Sequence, residues 1–230
     1  MGFLKKFFRG SYHEGGQAAP TDSSFEQLSE EQLEAHLGVQ RYGRFTLTDA
    51  IRPSYDLKVV PKQGYRHDFY RDEETKTKVP VLMASASREI LFDIFMELIE
   101  PLGCEVDVVL ETSHNREGAG HTDLYREHID LPVFKSMLWD FEELLMNDGC
   151  TGMAVLNPQI PQEVQFDEHK LLIVYGNPLR AYEDVFARFG VRRDDKMKFV
   201  TEAEHVHSSS DKFYEQFDEL KVRLGMDCGY

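Results

Sequence analysis

Apolar and polar positions alternate in a readable way only from about residue 79 onward. Val79 to Met83 is an apolar run of buried-strand length. Ile90, Leu91, Ile94, Phe95, Leu98 and Ile99 follow at i, i+1, i+4 and i+5, with Glu89, Asp93 and Glu97 between them. That spacing predicts a helix with one apolar face, opened by Ser85 or Ser87 and ended by Pro101 and Gly103. Glu105 to Glu111 predicts the next strand. Farther on, Leu171 to Tyr175 reads as a strand. A helix then carries Leu179, Tyr182, Val185, Phe186 and Phe189 on one face and stops at Gly190, and Met197 to Thr201 reads as a closing strand.

The two stretches align at a fixed offset. Val81-Leu82-Met83 falls on Leu172-Ile173-Val174, Asp93 on Asp184, Phe95 on Phe186, Val109 on Val200, Glu111 on Glu202 and His114 on His205. Identities are few, so the shared apolar pattern carries the reading of an internal repeat, about 79–150 and 170–225. Each copy continues into a further helix. The first is capped by Asp130 with Pro132 in its first turn, buries Val133, Phe134, Met137, Leu138, Phe141, Leu144 and Leu145, and stops at Gly149. Met153 to Leu156 is then a strand. The second helix opens at Ser208-Ser209-Ser210-Asp211 and places Phe213, Phe217, Leu220 and Leu224 on one face. The fold predicted is α/β: a mixed sheet covered by helices, in two related β-α-β(-α) halves with parallel strands in each unit.

Upstream the pattern is weaker. Residues 10 to 24 are small and polar and read as a flexible linker, so residues 1–24 form a basic amphipathic N-terminus plus linker. Residues 25–44 predict a short helical arm, with a capping box at Ser29 and Gln32 and a left-handed stop at Gly38. Residues 45–230 make a single domain. Within it Leu57 to Val60 and Tyr65 to Tyr70 read as strands, and the charge run Asp72 to Lys78 as a solvated turn.

Charge changes the picture of partners. The chain has 26 Lys and Arg against 41 Asp and Glu, a net charge of −15. Lys5, Lys6 and Arg9 are unopposed within residues 1 to 10, so the rest of the chain is more acidic still. That body repels phosphate, which excludes nucleic acid as a partner. Three cysteines, Cys104, Cys150 and Cys228, fit neither a disulfide framework nor a zinc ribbon and suit a reducing cytosol. Cys104 and Cys150 read as small buried residues beside strands. At the N-terminus, Phe3, Leu4, Phe7 and Phe8 would line one face of a helix and Lys5, Lys6 and Arg9 the other. This is the pattern of a short interfacial anchor for an anionic membrane or a partner.

Candidate chemistry lies in the histidines. Glu111, His114, His121 and Asp123 surround the end of the first predicted closing strand, and His205 and His207 follow the second. Imidazole and carboxylate suit a divalent metal such as zinc, iron or manganese, and nothing else in the pattern points to a cofactor. Ser113 and His114 are adjacent on a strand and point to opposite faces, so they make no dyad. The small-residue turns Ala84 to Arg88 and Gly176 to Arg180 read as helix starts rather than phosphate cradles. Together these features predict first a non-catalytic cytoplasmic interaction or regulatory protein, held by its N-terminus to a protein partner or peripherally to the inner membrane face. The alternative is a metal-dependent hydrolase using the histidine and carboxylate loops.

Overall fold

The structure, a computed structural model, describes residues 23–26, 28–71, 76–114 and 121–226. The basic anchor pattern at Phe3, Leu4, Lys5, Lys6, Phe7, Phe8 and Arg9 lies outside the described residues. The chain forms α1 (Glu30–Leu37), β1 (Arg41–Tyr42), β2 (Phe45–Thr46), β3 (Ile51–Pro53), β4 (Gly64–Arg71), β5 (Lys78–Ser85), α2 (Arg88–Leu98), β6 (Glu105–Thr112), β7 (Thr122–Asp130), α3 (Leu131–Asp140), α4 (Glu142–Asn147), β8 (Thr151–Leu156), β9 (Glu163–Phe166), β10 (Leu172–Tyr175), α5 (Arg180–Arg188), β11 (His205–His207) and α6 (Asp211–Arg223).

Strand and helix periodicities meet in one core. Alternate residues of the strands face the helices: Leu82 and Ala84, Val106, Val108 and Leu110, Met153 and Val155, Val164 and Phe166, Leu172 and Val174. Against them pack Phe95, Phe134, Phe186 and Phe217 from four helices, each buried. The sheet order is β4-β5-β10-β9-β8-β6-β7, and every neighbouring pair is antiparallel. Two hairpins, β4–β5 and β6–β7, therefore flank a central three-strand meander. Among the described residues the opposite face is covered only in part. Val81, Met83, Leu171, Ile173 and Tyr175 are capped there by Met197 and Phe199, while Val109, Ala154 and Leu156 form a separate patch.

The α/β class and the sheet covered by helices are as expected, but the pairing departs from the mixed sheet predicted. β5 and β6 do run in the same direction around α2, yet β10, β9 and β8 lie between them. The second copy of the expected repeat does not form as a β-α-β unit. Phe95 and Phe186 both reach the same core on helices that pack together, but the second unit has no closing strand in the sheet. Residues 197 to 201 give a loop entering a 3-10 turn at Val200–Glu202. Met197 and Phe199 bury their side chains against the sheet instead of pairing with it, which an apolar pattern alone cannot distinguish.

Leu57 to Val60 forms no strand, with Leu57 at φ 50° and Val60 exposed. The helix expected to run unbroken to Gly149 divides at Phe141, φ −116°. Gly38 stops α1 from the right-handed region, at φ −74°. Ser87 stands at the start of α2 without capping it; its hydroxyl accepts from Thr46 N at 2.9 Å and donates to Glu89. Cys104 is exposed, not buried. Capping at Ser29, Asp130 and Ser210 is as expected.

The N-terminal arm is tied down. Ser24 N and Oγ donate to Glu204 at 2.9 and 2.6 Å, and His36 Nε2 donates to the Pro53 carbonyl at 2.9 Å. Arg52, almost wholly buried, donates to the carbonyls of Leu37, Thr48 and Ile51 at 2.6–2.7 Å. These bonds fix β3, and β3 in turn fixes β11 by antiparallel pairing.

Candidate metal centre

One end of the sheet gathers the chemistry. β6 and β9 finish there, and β7, β8 and β10 begin there. Asp167 builds the β9–β10 turn by accepting from Leu171 N at 2.7 Å through Oδ1, and it accepts from His169 Nδ1 at 3.0 Å through Oδ2. The turn thus presents His169 toward β11. His205 and His207 are alternate residues of that strand and project from one side of it. The three ring centroids stand 4.9, 4.7 and 5.1 Å apart. One ring nitrogen from each lies within 4.8 Å of the other two.

Each imidazole is oriented by a bond at Nδ1. His169 donates to Asp167, His205 to the Ala203 carbonyl at 2.9 Å, and His207 to the Gly149 carbonyl at 2.5 Å. Carboxylate and carbonyl oxygens only accept, so in the neutral rings the proton sits on Nδ1 and the electron pair on Nε2. Outer hydrogen bonds of this kind fix the ring and raise its basicity toward a metal. For a tetrahedral ion with bonds of about 2.0–2.1 Å, donor atoms stand roughly 3.4 Å apart. Side-chain rotations on the order of an ångström close the set to that spacing.

Of the residues singled out from sequence, His205 and His207 meet here. His114 does not join them. Its Nε2 donates to the fully buried Asp148 at 2.7 Å, and its ring lies against Tyr214 and Phe217 of α6. Ser113 goes elsewhere, donating to Glu168 at 2.9 Å, so the pair makes no dyad. His121 is exposed, with Nε2 4.0 Å from Glu168. Glu111 and Asp123 face each other across β6 and β7. Glu202, aligned with Glu111 in the expected repeat, pairs with Arg66 at 2.8 Å instead. His169, the residue that completes the triad, had no repeat or motif to mark it. Its only signal was a histidine in a carboxylate-rich turn, Asp167-Glu168-His169-Lys170.

The field at this end of the sheet favours cations. Burial, with the charges of Asp123, Asp167 and Glu168, pushes the Glu111 carboxyl up to about 8. Burial likewise raises Asp123. The ammonium of Lys170 is buried too and is pushed down to about 8 by desolvation, against the pull of Asp148, Asp167 and Glu168. Its Nζ donates to the Thr151 carbonyl at 2.8 Å. Glu111 is protonated below about pH 8 and adds no charge there, but Asp148, Asp167 and Glu168 stand against this one buried ammonium among the described residues, so the potential around the histidines is negative.

At the opposite end of the sheet a groove of about 630 Å³ opens on the partly covered face. Val79, Val109, Tyr125, Leu156 and Ile160 line it, with Lys78, Asp107 and Arg126 among its polar groups. No helix among the described residues is long and apolar enough to cross a membrane. No protein-family model matches the chain, and neither a curated protein nor a solved structure does.

Proposed function

We propose that this protein is a metal-dependent hydrolase that holds one divalent transition metal, with zinc the expected occupant, at His169, His205 and His207. The observation that carries the reading is the convergence of three imidazoles, each with its Nδ1 bonded to an oxygen. Three histidines leave the fourth position of a tetrahedral ion to water. An ion held by His169, His205 and His207 would supply a water activated for hydrolysis of an ester, amide or phosphoester. The rings are half-buried, which keeps the ion in reach of solvent.

The test is metal analysis and zinc titration of the purified full chain, with hydrolysis of activated ester and phosphoester substrates as the activity readout. Zinc should bind, and His205→Ala or His169→Ala should lose that ion and the hydrolysis together. Protein that purifies without metal and takes up none at micromolar zinc would overturn the proposal.

The groove at the far end supports a second reading, a non-catalytic interaction protein. On that reading a metal at the histidines is a clamp between β11 and the main sheet. Metal binding without any hydrolysis, together with a fall in thermal stability on chelation, is its expected result. The cytoplasmic placement, the protein partner and the peripheral membrane contact of residues 1 to 10 belong to this reading.

A further inference from the structure

Beside the three histidines stands a second donor set of different chemistry. His114, Asp148 and Cys150 each offer one ligand atom, all within 4.8 Å of one another. Two come from the turn between α4 and β8, and the third from the end of β6. Asp148 is wholly buried. Its Oδ2 accepts from His114 Nε2 at 2.7 Å and from Thr151 Oγ1 at 2.5 Å. Its Oδ1 accepts no hydrogen bond of normal geometry among the described residues, although the Ser209 hydroxyl is near enough to favour the ionised form. A buried carboxylate oxygen without a partner costs on the order of 1–3 kcal/mol, more when charged, and calls for a ligand. Lys170, the nearest buried cation, bonds to the Thr151 carbonyl and does not supply it.

We propose that His114, Asp148 and Cys150 form a second metal site, for a thiolate-seeking divalent cation of the zinc class. A thiolate and a carboxylate together neutralise a doubly charged ion, and a thiolate with an imidazole selects zinc or cobalt over magnesium, calcium or manganese. Coordination replaces the proton in the His114–Asp148 bond, the ring carrying it on Nδ1, and the thiol proton passes to solvent. The final helix closes the site from one side through Tyr214 and Phe217, whose rings lie 5.5 and 6.0 Å from that of His114. The two sites are linked by Gly149, which lies between Asp148 and Cys150 and accepts from His207.

Cobalt(II) separates the two sites, because only a thiolate ligand gives the near-ultraviolet sulfur-to-cobalt charge-transfer band. The full chain, kept reduced with a phosphine, is titrated with cobalt and followed by absorption. Two ions should bind per chain, with the charge-transfer band and the visible bands of histidine-bound cobalt both present. Cys150→Ser should remove the charge-transfer band and one ion while keeping the visible bands, with circular dichroism confirming an intact fold. His169→Ala should lose one ion and keep the charge-transfer band, with the visible bands reduced to those of the thiolate-bound ion. Visible bands without a charge-transfer band in the unaltered chain would overturn this site and leave the three-histidine reading standing. A charge-transfer band that survives Cys150→Ser would overturn it as well, because another cysteine would then be the ligand. No cobalt uptake at all would overturn both.

Discussion

Glu163 is a carboxyl where the sheet has no use for a charge. It lies on β9 between Leu156 and Tyr175, almost fully buried, and Gln165 Nε2 donates to its Oε1 at 2.6 Å. Burial raises its pKa from an ordinary 4.5 to about 8, outweighing the Gln165 bond, and the charge of Glu111 adds to the rise. Between those two values the folded chain holds a proton there that the unfolded chain has released. Stability therefore falls as pH rises through this window, by about 1.4 kcal/mol per pH unit. Across the whole window the loss is about 5 kcal/mol, and it levels off above pH 8. Glu163→Gln keeps the shape and cannot ionise. The variant's stability relative to the unaltered chain should then grow by about 1.4 kcal/mol for each unit of pH. Urea unfolding of both chains at about pH 5, 6, 7 and 8, with chelator present, measures that difference. A difference that stays constant over the range would refute the reasoning, because Glu163 would then be ionised in the folded state at all of them.

Three other outcomes are expected. Phe217→Ala should cost about 3–5 kcal/mol in urea unfolding, the usual range for truncating a buried Phe, since its ring is buried under α6. Gly149→Ala should destabilise by about 1–3 kcal/mol and weaken zinc binding in the same titration. A Cβ at Gly149 would collide with the Ala50 carbonyl and stand 3.0 Å from Ser208 N and O, pushing β11 away from its support. Removing residues 1 to 10 should abolish co-sedimentation with anionic vesicles at low salt without changing thermal stability. The attraction at stake is roughly 3 kcal/mol for Lys5, Lys6 and Arg9.

What could be read from the sequence was what depends on local pattern. The α2 stripe, the strands beginning at Val79 and Leu171, and the caps at Ser29, Asp130 and Ser210 all rest on spacing within about a dozen residues. β7 was missed because Thr122 to Asp130 is an edge strand rich in charge, the composition that keeps edges from pairing wrongly and that reads as loop. β9 was missed because it is four residues long and begins with Glu163. Strand order was not legible at all: nothing in Val79–Met83 or Leu171–Tyr175 says that these strands are antiparallel neighbours. The candidate metal centre shows the same division. His205 and His207 stood out as histidines following the second predicted closing strand, while His169 acquires its place only when the β9–β10 turn meets β11. Cys150, read as a small buried residue, stands beside His114 only because α4 delivers it to the end of β6.

The position of the β8–β9–β10 meander also bears on the order of folding. Its strands, residues 151 to 175, join two hairpins formed by chain that precedes them, so a nascent chain stopped at residue 150 holds both flanks and no centre. Each flank then exposes an unpaired inner edge, on β5 and on β6, of the kind that invites wrong partners. Closure of the sheet waits on contacts distant in sequence, which slows folding relative to helical chains of this size. A ribosome carrying such an intermediate leaves two sticky edges open until the meander emerges, and that interval is when this chain is most exposed to aggregation.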